Sequence, residues 1–338
     1  MCHFIVNCGR FLDLDSLEGI YTRIGMILDK LRSDGIRITS INDMLHVIHG
    51  NNRSRTPYAN AFLVLDETNV LLDSGCGHEI INTLCRQVVI DKVINSHSHP
   101  DHTSGNWLLK EISSPEIYVP GNNIESISHT ELLAARLVGE ELSRLWIEAY
   151  LPATGFQDFE PSSSFTHGHE FKTGRSRFIA LYTPGHLGDH YCLYEPDDHI
   201  LIGFDIDLSP FGPWYGNPEC DIPSFKRSID EVLAIQTDIY LSSHAKPIKA
   251  PYIAKRLSSY ASHFQTRDKK LLACLSNNRP TSLDELVRLS PFYGADYFVI
   301  DKILFYGEEQ MIAKHLSGLL ERGLIVQEGD FYRISDKR

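Results

Sequence analysis

A chain of 338 residues exceeds one average domain, and 42% hydrophobic with 22% charged residues is the composition of a soluble globular protein with a large core, which excludes a disordered or fibrous chain. The formal net charge of -12 disfavours broad attraction to nucleic acid or to anionic membrane, so a small-molecule substrate is the expected partner. No run of about 18 apolar residues marks a membrane span, and Asp13, Asp15 and Glu18 interrupt the apolar core that a signal peptide needs. The cysteines (Cys2, Cys8, Cys76, Cys85, Cys192, Cys220, Cys274) are odd in number, scattered and without CxxC spacing, which predicts reduced thiols and a cytoplasmic protein.

In chain order, Leu17, Ile20, Tyr21, Ile24, Ile27, Leu28 and Leu31 recur at helical spacing after Asp15 or Ser16, either of which can cap the start. This helix either packs on the main domain or forms a homodimer contact. IRITSI, MLHVIHG and NAFLVLDETNVLLDSG then read as consecutive strands. From Glu79 to Ile117 a helix, the strand DKVINS, a histidine-rich run, another helix and the strand EIYV alternate as in a layered α/β protein. Residues 125 to 150 read as helical, serving as a cap over a site or as a packing helix. FIALYTPGH, HYCLYE and HILIGFDIDL return to strand, followed by the aromatic loop SPFGPWYGNPECD, a helix over Ser224 to Ala234 and the strand DIYLSSH. Past about residue 265 the expectation is a helix over Asp268 to Leu275 and a second capped by Thr281 through Asp284. A third helix over Glu308 to Arg322 stops at Gly323, and a hairpin turns at Glu328-Gly-Asp330.

The chemistry is concentrated in Ser96-His-Ser-His-Pro-Asp-His-Thr103, where three imidazoles and a carboxylate directly follow a strand. His97 and His99, two apart on extended chain, face one side, and Pro100 turns the chain so that Asp101 and His102 address a second position. Imidazole and carboxylate without thiolate suit a zinc, iron or manganese site with open coordination more than a structural zinc site. Downstream, His186, Asp205 and His244 each stand at the C-terminal end of a predicted strand.

These segments resemble the metallo-β-lactamase superfamily: Asp73 in VLLDSG, SHSHPDH, His186 in TPGH, Asp205 in IGFD and His244 in SSH stand in the family's order across roughly residues 40 to 250. The resemblance implies an α/β fold, a four-layer αββα sandwich, with two divalent ions, zinc foremost and iron or manganese as alternatives. His97, His99 and His186 would hold one ion, Asp101, His102 and His244 the other, and Asp205 would bridge them. Asp207 lies two residues on with the same strand parity and competes for that bridging role. Asp73 would orient a ligand histidine without binding metal. Such a pair lowers the pKa of water and polarises the oxygen under attack, so Asp101 would also orient the hydroxide. His190, Asp189, Tyr215 and Lys246 are candidate helpers, and Trp214 and Tyr215 candidate pocket walls. Phe204 and Ser104 stand where the family usually has glycine.

The C-terminal pattern is similar to the β-lactamase-like protein 2 group, a hydrolase domain followed by a winged helix. That implies an N-terminal helical extension at 1–40, the hydrolase domain at 41–262 and a winged-helix-like domain at 263–338. The function implied is hydrolysis of an ester, thioester or lactone. An endoribonuclease or phosphodiesterase acting on single-stranded RNA is the alternative, and a nucleic-acid-binding regulator with a ligand-sensing metal domain is a reading of another class. Lys314, Arg322 and Arg333 could meet phosphate, but Glu308, Glu309, Glu321, Glu328 and Asp330 share their elements, which disfavours nucleic acid.

Overall fold

A computed structural model describes residues 17–276, 279–294 and 302–336. Cys2, Cys8, Asp13 and the expected caps Asp15 and Ser16 lie outside these residues. One sheet takes β1 (Ile38–Ser40), β2 (Leu45–Ile48), β3 (Ala61–Val64), β4 (Val70–Leu72), β5 (Lys92–Ile94), β6 (Glu116–Pro120) and β7 (Ser163–Phe165) in sequence order. The first four strands are antiparallel and β4 to β7 are parallel. The second sheet runs in reverse chain order, β13 (Ile248–Lys249), β12 (Ile239–Leu241), β11 (Ile200–Ile202), β10 (Tyr191–Glu195), β9 (Arg177–Tyr182) and β8 (Glu170–Lys172).

The alternation of side chains along each strand builds two cores. Leu45, Val47, Phe62, Val64, Val70, Leu72 and Ile94 meet Phe178, Ala180, Leu193, Ile200 and Ile202 of the other sheet in one cluster. The intervening Ile48, Leu63, Leu71 and Val93 belong instead to the cluster that holds helix residues Ile24, Leu28, Leu31, Ile81 and Leu84. Strands buried on both faces read as unbroken apolar runs, which is why AFLV and VLL stand out in the sequence. Helices Leu17–Ser33 and His78–Cys85 thus cover one sheet, while Ile222–Leu233 and Tyr252–Cys274 cover the other through Phe225, Ile229, Leu257 and Phe264. The layers are helix, sheet, sheet, helix. The N-terminal helix spends its apolar face on this packing.

The structure departs from the expected elements in several places. The helical stretch at 125 to 150 is three helices, Thr130–Val138, Glu140–Ala149 and Leu151–Thr154, broken at Gly139 and Tyr150. Strands β7 and β8 are additions to the expected set, because their half-exposed, three-residue faces carry almost no pattern. The helix expected over Asp268 to Leu275 is the last part of Tyr252–Cys274, which runs without a break through position 262. The second C-terminal helix, Leu283–Arg288, starts one residue later than expected, with Ser282 and Glu285 forming the capping box in place of Thr281 and Asp284. The third is Lys302–Glu321, and β15 (Ile325–Glu328) pairs with β16 (Phe331–Ile334), which also pairs with β14 (Thr281–Ser282). Glu308 is no surface charge: it is buried and accepts from the Ser290 hydroxyl and the Phe292 N–H at 2.8 and 2.7 Å. Among the described residues no helix is long and apolar enough to cross a membrane.

Candidate metal centre

The expected ligands arrive at one edge of the two sheets, each from beyond the C-terminal end of a strand. Asp73 follows β4, His97 to His102 follow β5, His186 follows β9, Asp205 follows β11 and His244 follows β12. The sheets fix the strand ends, so residues far apart in sequence are brought together by rigid elements. Gly75 lets the loop after β4 lie directly on the histidine-rich run, since a Cβ there would sit 1.7 Å from the Asp101 carbonyl oxygen.

Two groups of donor atoms result, His97, His99, His186 and Asp205 in one and Asp101, His102 and His244 in the other, with the atoms of each group within 4.8 Å of one another. In every imidazole the nitrogen facing away from the group is already spoken for. His186 Nδ1–H donates to the Trp214 carbonyl at 3.0 Å, and His244 Nδ1–H to the Ser54 carbonyl at 2.7 Å. His99 Nε2–H donates to Asn217 Oδ1 at 2.8 Å, and the Asn217 amide is oriented by donating to the Leu137 carbonyl. His102 Nδ1–H donates to Asp73 Oδ2 at 2.7 Å. His97 Nδ1–H donates to Ser96 Oγ at 2.9 Å, and that hydroxyl donates onward to Asp73. Each outer bond fixes a tautomer whose inner nitrogen carries a lone pair.

Those inner lone pairs converge. His97 Nε2 and His186 Nε2 lie 3.0 and 2.9 Å from His99 Nδ1, where acceptor faces acceptor unless a cation stands between them. Asp205 reaches both groups, with Oδ1 at 3.1 Å from His102 Nε2 and 3.5 Å from His244 Nε2, and Oδ2 at 3.3 Å from His186 Nε2. His102 Nε2 and Asp205 Oδ1 are buried, and neither has a hydrogen-bond partner. Buried polar atoms left unpaired are costly, and a divalent cation satisfies both. The donors present therefore fit two metal ions. Asp207 belongs to neither group, and its carboxylate accepts from the Ser209 N–H.

The electrostatics divide the same way. Burial holds His97 and His186 well below the ordinary imidazole range and His99 below it, so these three are neutral donors. Burial also works against protonation of His102 and His244. Burial is the largest single effect at both, yet the carboxylates together overcome it, Asp205 first, with Asp73 and Asp101 at His102 and Asp101 and Asp207 at His244, so that His102 stands well above its usual value and His244 is pushed up to about 9. The surrounding carboxylates thus keep these two rings protonated near neutral pH, and a cation binding there displaces protons.

The other sequence candidates separate into neighbours and bystanders. Trp214 stands 5.6 Å from His99 and 5.9 Å from His186, ring to ring, and walls the site. Tyr215 does not, because its buried hydroxyl bonds to His315 at 2.6 Å and its ring stacks on Phe264. His190 uses both nitrogens structurally, accepting from the Asp205 N–H and donating to the Thr183 carbonyl. Asp189 pairs with Arg136 at 3.0 Å, and Lys246 is exposed. Sequence reasoning missed Arg136, whose guanidinium also holds Ser98 and Glu219 and so ties the Thr130–Val138 helix to the histidine-rich run. It also missed Asn217 and the left-handed turn Asn52 to Ser54 that aims a carbonyl at His244.

Phe204 explains the family's usual glycine, since its φ is 45°, a region that costs a residue with a Cβ roughly 1–2 kcal/mol. Its buried ring packs edge-on against Phe62 at 5.7 Å, which offsets that cost. Truncating the ring destabilises by about 3–5 kcal/mol. Glycine should therefore be tolerated better than alanine: Phe204→Gly is expected to unfold at a higher temperature than Phe204→Ala, and the reverse order in a thermal melt would contradict this account.

Residues 55–245 match the model of the metallo-β-lactamase superfamily. A probable metallo-hydrolase of Methanocaldococcus jannaschii is 25% identical over 179 residues, covering 51% of this chain and 78% of that protein. The acyl-coenzyme A thioesterase MBLAC2 of Bos taurus is 23% identical over 173 residues, covering 44% of this chain and 58% of its own length. Among solved structures, the metallo-β-lactamase family protein TTHA1429 of Thermus thermophilus superposes with a TM-score of 0.66 at 19% identity, over 87% of this chain and all of the other. With the family model spanning more than half of its length, the chain belongs to the metallo-β-lactamase superfamily and is a metallo-hydrolase.

Proposed function

We propose that this protein hydrolyses an ester, thioester or lactone at a dinuclear centre held by His97, His99, His186, Asp101, His102, His244 and Asp205. The observation that carries this reading is the set of five imidazoles whose outer nitrogens are all engaged and whose inner lone pairs face one space, with Asp205 between the two groups. Nitrogen and carboxylate donors favour zinc, with iron or manganese as competitors. Two such ions supply activated water near neutral pH and a Lewis acid for the carbonyl oxygen. Within the chain, Asp101, whose Oδ2 lies 3.6 Å from His244 Nε2, would orient the attacking water. Asp73 holds His102 and Ser96 in place, and Trp214 walls the first group. Both groups reach solvent, since His99, Asp205 and His244 are partly exposed while His97, His102 and His186 are buried.

The thioester is favoured by the bovine relative's name, and carbonyl substrates over RNA by the charge. Lys314 donates to the Asn217 carbonyl, Arg322 pairs with Asp268, and Arg333 pairs with Glu328 and Asp336. These three cations are thus already engaged within the chain, which leaves less charge for phosphate. We read the C-terminal helices and hairpin as a winged-helix-like unit that packs on the hydrolase, as in the β-lactamase-like protein 2 group. The test is a panel of aryl ester, thioester, lactone and labelled single-stranded RNA, run with metal-replete protein and with His97→Ala. Turnover of a carbonyl substrate that falls at least about 10²-fold in the variant is expected. RNA cleavage that depends on His97, without carbonyl turnover, would sink the proposal.

A further inference from the structure

The loop over residues 211–217 supplies the outer partners of two ligand histidines, the Trp214 carbonyl for His186 and the Asn217 amide for His99. Besides the Leu137 carbonyl that the Asn217 amide reaches and the Cys220 N–H on the Asn217 carbonyl, most other grips on this loop come from residues beyond 262. Arg267 donates to the carbonyls of Pro213 and Phe211 and to the Tyr215 hydroxyl. His315, itself oriented by Asp268 at 2.6 Å, accepts a hydrogen bond from the Tyr215 hydroxyl. Tyr293 accepts from Trp214 Nε1 at 2.9 Å. Lys314 donates to the Asn217 carbonyl at 2.9 Å. At Gly216 the loop meets the Lys302–Glu321 helix backbone to backbone, since a Cβ there would lie 3.0 Å from Gly307 Cα.

We propose that Arg267 and Lys314 are positioning residues for the first metal ion, acting through the 211–217 loop on His186 and His99. The C-terminal unit is thereby a working part of the metal centre in addition to packing against it. Both carbonyl and amide partners set ring orientation and ligand basicity, and loss of such outer partners typically weakens metal binding about 10–100-fold. The second group has no such dependence: His244 leans on Ser54, and His102 on Asp73. Loosening the loop therefore acts on one ion and spares the other. The inference rests on the dinuclear reading above.

The experiment is a stepwise metal titration of the full-length protein against a competing chelator, with the visible spectrum of the cobalt-substituted form as a second readout. Wild type is expected to bind two ions. Lys314→Met should weaken one step about 10–100-fold and change the cobalt spectrum of that step, leaving the other as in wild type. Lys314→Arg, which keeps a donor, should restore most of the loss. The weakened step should be the one that survives in His244→Ala. Tyr293→Phe removes a single hydroxyl and should show a smaller loss at the same step, so it carries the test if Lys314→Met does not fold. Both steps unchanged in these variants, or both weakened equally, overturns the positioning role alone. Wild type that binds no ion overturns the dinuclear reading and this inference together.

Discussion

Asp205→Asn is expected to lower carbonyl-ester turnover about 10²–10³-fold, the effect of removing about 3–4 kcal/mol of transition-state stabilisation from a polar site. Among the described residues Asp205 is the carboxylate that faces both donor groups, with one oxygen toward His102 and His244 and the other toward His186. An amide keeps the shape but offers a single neutral oxygen, so one side of the site meets an N–H₂ where an anionic donor stood. The negative charge that opposes the crowding of five imidazoles is lost as well. Steady-state kinetics and elemental analysis on the same reconstituted sample check this. A variant that retains two ions and turns over within about threefold of wild type would remove Asp205 from the bridging position.

Asp73→Asn should have the second-largest effect, although Asp73 touches no candidate ion. Its carboxylate is fully buried and surrounded by donors: the Ser96 N–H at 2.8 Å, the Ser96 hydroxyl at 2.8 Å and His102 Nδ1–H at 2.7 Å. Each neighbour gives a hydrogen bond and none can receive one in this arrangement. An asparagine must therefore turn its N–H₂ against at least one donor, leaving a buried group unpaired at about 1–3 kcal/mol. It also frees His102 and, through Ser96, His97 from their fixed tautomers, which should weaken metal binding about 10–100-fold. Chemical denaturation of the metal-free protein reads the first effect and chelator competition the second. Unchanged metal affinity would show that the tautomers are held by something other than Asp73.

The candidate ligands that the fold brings together are legible because the chemistry demands particular residue types, and because β5, β9, β11 and β12 end in short apolar runs that announce a strand edge. The four layers follow from the same runs. What escapes a sequence reading is whatever is made by backbone or by packing. The carbonyls of Trp214 and Ser54 that orient His186 and His244 have no side-chain signature, and Arg53 and Ser54 adopt left-handed φ values of 58° and 57° that neither residue type advertises. Arg136 reads as an ordinary helix-surface cation until the fold brings Ser98, Asp189 and Glu219 to it. Tyr215 reads as a pocket wall because it adjoins Trp214, but its ring turns instead onto Phe264 and its hydroxyl to His315. One miss had a usable signal: Ile253, Leu257, Tyr260, Phe264 and Leu271 are buried positions of the Tyr252–Cys274 helix, spaced three, four or seven apart among polar residues.

The central claim is that this chain binds two metal ions and that His97 to His102 is the core of their site. It is tested most directly by counting metal per chain by elemental analysis after reconstitution and gel filtration, for wild type and His97→Ala. Two ions per wild-type chain and no more than one in the variant is the predicted result. Less than one ion per wild-type chain after reconstitution, or equal content in the two proteins, would contradict it.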